Sequence, residues 1–182
     1  MDKEIRKKIE AYSELYRQLK EEKEISENDF AESRKVKLYL ARSKDDFLWA
    51  TAVKKLIENP KIRQELNLPE DYLNICHWLI IISYYAMYHA ATAAIAKKKI
   101  KCESHKATIT SLAKHYATDE ELEFDFIEKL NYIYIEYIES GREKRRGAQY
   151  NVEKIYSQQE ACKSFEYAGK FVERLASMLE ES

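Results

Sequence analysis

Three glycines and two prolines in 182 residues leave this chain little to turn with. Tight hairpins need residues that accept a positive φ, and Gly and Asn supply most of them. A chain of this length is sufficient for one domain with a real core, and with so few turn formers it must be built from a few long elements. It therefore reads as all-α, an up-and-down helical bundle.

Apolar spacing places the helices. Ile5, Ile9, Tyr12, Tyr16 and Leu19 mark a charged helix over residues 3–24 with one narrow apolar stripe. Ser26 to Asp29 resembles a capped start for a second helix, running through Val36, Leu40, Phe47, Ala50, Val53 and Ile57 to about Glu58. Asn59-Pro60 stops it and can open a short turn of helix, and Pro69 opens a third long helix reaching about Lys99. Ser104 caps a fourth over about 105–117. Thr118 with Glu121 forms a capping box for a fifth, whose face is Leu122, Phe126, Leu130, Ile133 and Tyr137, with Gly141 as its C-terminal cap. Residues 142–156 show no period. Ser157 with Glu160 opens the last helix through Ala161, Phe165, Ala168, Val172, Leu175 and Leu179. Residues 1–31 read as an N-terminal helical extension and residues 32–182 as the bundle.

Lys+Arg number 31 and Asp+Glu 32, so no global charge argues for nucleic acid or an anionic membrane, and any electrostatic footprint is local. Three widely spaced cysteines, Cys76, Cys102 and Cys162, do not describe a disulfide framework. With a densely charged N-terminus lacking an apolar signal core, they point to a reducing, cytoplasmic setting. The abundance of Lys, Glu, Ile and Tyr suits a thermophile.

Trp78 to Ala96 runs 19 residues without a charge, near the length of a membrane span. It also carries Ser83, Tyr84, Tyr85, Tyr88, His89 and Thr92, which would be costly in hydrocarbon, and no second segment could join it. A central bundle helix explains more. It is apolar all round, its alanines let neighbours approach, and its tyrosines can send hydroxyls to the bundle edge. His89 alone reads as a hydrogen-bonded core residue rather than a ligand.

The stretch Ser83 to His105, "SYYAMYHAATAAIAKKKIKCESH", resembles the signature of the HEPN superfamily in its small stand-alone prokaryotic branch. Arg145 to Tyr150, "RRGAQY", is similar to that branch's R-x-x-A-D-Y motif. Ser157, Glu160, Ala161 and the "YAGKFVERL" helix resemble its closing segment, so the resemblance spans about residues 35–180. It implies a helical bundle with a four-helix HEPN-type core that forms homodimers. Many HEPN domains are ribonucleases with an R-x(4–6)-H motif, and many of those are toxins neutralised by a minimal nucleotidyltransferase. In that motif Arg stabilises phosphate charge and His transfers protons near neutral pH.

This chain departs from the motif. With Arg145 as the motif arginine, Tyr150 occupies the histidine position, and no histidine follows His115. A tyrosine, with a pKa of about 10, is a poor base at neutral pH. His89 or His105 could substitute only if the fold brought one of them to Arg145. Gln149 replaces the motif's acid, which frees Arg145 for another anion; alternatively, Arg145 and Tyr150 pin a loop to the bundle. The resemblance thus implies a non-catalytic RNA- or nucleotide-associated module working with a nucleotidyltransferase-type partner. The alternatives are a metal-independent endoribonuclease toxin acting through the Arg145 and Tyr150 positions, and a purely structural interaction protein.

Two basic clusters supply the remaining signal. Lys97, Lys98, Lys99, Lys101 and Lys106, next to His105, follow the third expected helix. Arg142, Lys144, Arg145 and Arg146 follow the fifth. Cations at helix C-termini complement the macrodipole. If both helices ended at one pole, Lys97, Lys98, Lys99, Lys101, His105, Arg142 and Arg146 would form one site for a phosphate backbone or nucleotide. Cys102-x-x-His105 has no second pair to complete a metal site, and there is no phosphate-binding glycine loop, so neither metal nor cofactor is expected.

Overall fold

The structure, a computed structural model, describes residues 3–27, 33–69, 74–118, 130–151 and 153–180. Its helices are α1 (Lys3–Glu21), α2 (Ser33–Glu58), α3 (Pro60–Glu65), α4 (Asn74–Lys97), α5 (His105–Tyr116), α6 (Tyr132–Tyr150) and α7 (Gln158–Glu180). Two short pairings join them. Strand β1 (Ile25–Glu27) lies antiparallel to β2 (Ile100–Cys102), with Ile25 opposite Cys102, and β3 (Ala117–Thr118) lies parallel to β4 (Leu130–Asn131). The fold is an all-α helical bundle.

The uncharged run forms the axis of that bundle. Helix α4 packs against α2, α5, α6 and α7. Ala86, Ala90, Ala91, Ala93 and Ala94 are all fully buried, and their small side chains let the surrounding backbones come close. Ser43 Oγ uses that proximity to donate 2.7 Å to the Ala86 carbonyl. Ile57 shares a cluster with Ile75, and Leu40 shares one with Ala93, so α2 runs antiparallel to α4. Among the described residues α4 is the one helix long and apolar enough to cross a membrane, and 61% of its most apolar window is buried inside the protein. Helix α1 packs along α5, and Leu19 and Ile25 are buried in the main core.

Local start signals behave as their chemistry requires. Ser104 accepts from the Ala107 N–H at 3.1 Å and opens α5, and Asn59 accepts from the Lys61 N–H at the start of α3. Ser157 and Glu160 form a reciprocal box: Glu160 accepts the Ser157 N–H at 2.9 Å, and Ser157 Oγ accepts the Glu160 N–H at 3.2 Å.

Three expectations change. Ser26 lies in β1 opposite Lys101, and α2 is described from Ser33, while Asp29 lies outside the described residues. Thr118 belongs to β3, and Glu121, Leu122 and Phe126 lie outside the described residues. The next described helix, α6, is capped by Asn131 and leaves Ile133 exposed. Gly141 ends nothing, because α6 runs through it to Tyr150. A β-carbon there would lie 2.6 Å from Met87 Cε and 3.3 Å from Tyr84 Cδ2, so this glycine makes room for the α4 side chains packed on α6. Ile135 and Ile138, early in α6, share a cluster with Ala90 and Ala94, whereas Ala148 near its end packs with Ile75 and Leu79 at the start of α4, so these two helices are also antiparallel.

Candidate functional site

The crossing of α4 and α6 places Arg145 against the tyrosines of α4. Its guanidinium carbon lies 5.3 Å from the ring centre of Tyr84, 5.5 Å from Tyr85 and 6.0 Å from Tyr150. Arg145 is 8% exposed and its Nε has no partner. Among the described residues no carboxylate pairs with it. The one polar contact of its side chain is Nη2 to His105 Nε2, at 3.4 Å.

His105 arrives from the other side, as the first residue of α5. Its ring stacks on Tyr88 at 4.0 Å and 17°, and its Nδ1 lies 2.5 Å from Tyr84 Oη. A guanidinium can only donate, so Nε2 must accept from Arg145. The imidazole proton then sits on Nδ1 and is donated to Tyr84 Oη. Burial, followed by the nearby charges of Arg145 and Arg142 and by His89, pushes His105 from its ordinary 6.5 down to about 4. Burial also raises the phenol of fully buried Tyr84, so it stays protonated. Arg145 therefore faces a neutral, polarisable wall.

A second histidine borders the same aromatic cluster. His89 lies 5.6 Å from Tyr88 and 6.1 Å from Tyr85, ring centre to ring centre. Its Nδ1 bonds Asp46 Oδ2 of α2 at 2.6 Å, and Arg42 Nε approaches the other carboxylate oxygen at 3.8 Å. On its outer side Tyr39 stacks at 6.4 Å, beside a groove of about 690 Å³ lined by Lys35, Tyr39, Arg42 and His89.

The structure separates the two basic clusters. Arg142, Arg145 and Arg146 lie within α6 rather than beyond its end, because Gly141 is a packing residue and not a stop. They sit beside the middle of α4, whereas Lys97, Lys98 and Lys99 lie at its C-terminal end. At 1.5 Å per residue, that is about 20 Å from Tyr84. Lys98 lies over the Tyr116 ring at 5.1 Å, and Lys101 pairs with Glu103 at 2.7 Å. Lys97, Lys98 and Lys99 thus lie well along α4 from the rings that surround Arg145. His105 and half-buried Arg142 belong with Arg145; Arg146 is exposed on α6, and Tyr150, 70% exposed, forms the rim. Cys102 bonds Ser111 at 3.3 Å while His105 bonds Tyr84 and Arg145, so their spacing makes no ligand pair, and among the described residues no three His, Cys, Asp or Glu gather.

Asp46 was not among the sequence candidates. It lies 43 residues before His89, with no local pattern joining them. The sequence signal for His105 was its place at the end of the stretch Ser83 to His105, but its approach to Arg145 depends on the bundle closing.

The depressed His105 has a consequence for stability. The unfolded chain takes up this proton near the ordinary 6.5 and the folded chain only near 4, so stability is present above 6.5 and lost as pH falls through that window. The ring is partly exposed, and solvent screening reduces the effect to about 1 kcal/mol. Thermal melts at neutral and mildly acidic pH should show His105→Gln losing that much less than wild type. Equal losses would contradict the assignment.

No family model matches the chain, and no curated protein matches it.

Proposed function

We propose that this chain is an RNA- or nucleotide-associated module that captures a phosphate at Arg145. One observation carries the reading: a guanidinium more than nine-tenths buried, with an unpartnered Nε, surrounded by tyrosine rings and a neutral imidazole. A buried charge without a counter-charge is costly, and a phosphate oxygen offers Arg145 the bidentate partner it lacks. Tyr85, Tyr88 and Tyr150 supply flat faces for a base or sugar next to that phosphate. The resemblance to the HEPN superfamily supports the same ligand class, a nucleotidyltransferase-type partner and a homodimer. Exposed Leu38, Leu48 and Trp49 on α2 suit a second copy. The approach of His105 to Arg145 favours a second reading, a metal-independent endoribonuclease.

The test is fluorescence anisotropy with a short labelled single-stranded RNA. Binding should saturate at low salt and fall as salt rises, with a log–log slope of about −0.7 for each phosphate contacted. Arg142→Ala should weaken it, while Lys98→Glu, about 20 Å away along α4, should leave the saturable component in place. Absence of saturable binding at low salt would refute the reading.

A further inference from the structure

Helix α1 leans on α5 and leaves a groove of about 430 Å³ beside α6. Tyr12 of α1 and Tyr132 of α6 form its aromatic walls, with ring centres 6.4 Å apart and planes at 51°. Leu15 adds an apolar surface, and Glu136 and Glu139 line the groove from α6. One ammonium group already lies there. Lys8 Nζ sits 5.6 Å from the centre of the Tyr132 ring and 3.3 Å from Glu136, within the range at which a cation is attracted to an aromatic face. The side chains of that pair are 42% and 50% exposed, and an ion pair so open to water is weak and readily exchanged.

Glu139 is a different case. It is partly buried, and its partner is the Tyr12 hydroxyl. Burial and that bond raise the Tyr12 phenol, so it remains a donor. Among the described residues no lysine or arginine pairs with Glu139. The groove thus offers two carboxylates and a single, loosely held cation. The two acids stand one turn apart on α6, about 5–6 Å between β-carbons.

We propose that this groove binds a linear aliphatic diamine or polyamine. One ammonium pairs with Glu139 beside the Tyr12 ring. The other displaces Lys8 from Glu136 and takes its place over Tyr132, with the alkyl chain against Leu15. An inorganic cation fits less well, because it demands a shell of oxygen ligands and gains nothing from the rings or from Leu15. The bound amine would tie α1 to α6. Neither Arg145 nor any ring around it takes part, so the proposal is independent of the phosphate site.

The experiment titrates full-length protein with butane-1,4-diamine at low salt by isothermal calorimetry. Binding should be saturable and one-to-one, with a Kd of about 1 mM or tighter. Butylamine, which can satisfy one carboxylate, should bind roughly 10-fold more weakly, and butane-1,4-diol should not bind. Glu139→Gln should also weaken the diamine roughly 10-fold, and its amide oxygen can still accept the Tyr12 hydroxyl, so the melt should stay in place. Lys8→Met removes the competing ammonium and should tighten binding several-fold. Lys7→Met makes the same change of charge at an exposed position outside the groove and should leave affinity unchanged. Arg145→Met should bind the diamine as wild type does. No saturable binding, equal affinity in Glu139→Gln, or equal affinity for diamine and monoamine overturns the proposal. Equal tightening by Lys7→Met and Lys8→Met also overturns it, since it would show only a general attraction to net charge. Displacement of the diamine by an equal concentration of magnesium would make the groove an inorganic cation site and overturn it as well.

Discussion

Ala90→Glu should leave no cooperatively folded protein. Ala90 is fully buried in the middle of α4, in the same core cluster as Ala86, Ala94, Ala168 and Phe171. A glutamate there has no room and no cation. The effective penalty for a buried, unpaired carboxylate is several kcal/mol, and overpacking adds about 1–3 kcal/mol. Together these approach the whole stability of a domain, roughly 5–15 kcal/mol. Far-UV circular dichroism should show no sharp melt, and the protein should collect in the aggregate fraction. Ala90→Ser keeps the volume and can satisfy its hydroxyl within the helix, so it should melt within about 2 kcal/mol of wild type. A glutamate variant that melted like wild type would mean that α4 does not lie at the bundle axis.

Arg145→Met should abolish most RNA binding without harming the fold. A residue serving only to tie α6 to its neighbours would do the reverse. Methionine fills similar length with apolar atoms and removes a desolvated charge that no carboxylate offsets among the described residues. It forfeits cation–π attraction to Tyr84, Tyr85 and Tyr150, worth about 0.5–2 kcal/mol. The two effects offset, so denaturant melts should move by no more than about 1 kcal/mol either way. Binding loses a charge-assisted, two-pronged contact, and affinity should fall roughly 100-fold, or about 3 kcal/mol. Arg145→Lys should fall between, since it keeps the charge and loses the fork. If Arg145→Met lost about 3–5 kcal/mol of stability, Arg145 would be a structural tie and the phosphate site would be wrong.

What the sequence made legible was local. Ser104, Asn59 and the Ser157–Glu160 box act within a few residues of themselves, and all three open helices. The uncharged run declared a buried helix because only a central position leaves every face of a helix apolar. Gly141 misled because its reason lies 54 residues away, at Met87, where α6 needs a surface without a side chain. That single misreading ended α6 early and placed the arginines beyond a helix rather than within one. Asp46 and His89 were invisible as a pair for the same reason, since no helical period spans 43 residues. A motif can show that Arg145 is present, but only the crossing of α4 and α6 reveals that it faces His105.

The β1–β2 ribbon also determines when the site can exist. The Glu103 N–H donates to the Glu24 carbonyl and Ser104 Oγ to the Glu24 carboxylate, so the residue preceding His105 is anchored to the first tenth or so of the chain. His105 must in turn meet an arginine 40 residues later, and His89 an aspartate 43 residues earlier. Contacts of such long range close only after their loops are paid for in entropy, late in folding. A nascent or partly unfolded molecule therefore carries every one of these residues and yet displays no binding surface, so any ligand or partner that engages the surface selects completed molecules.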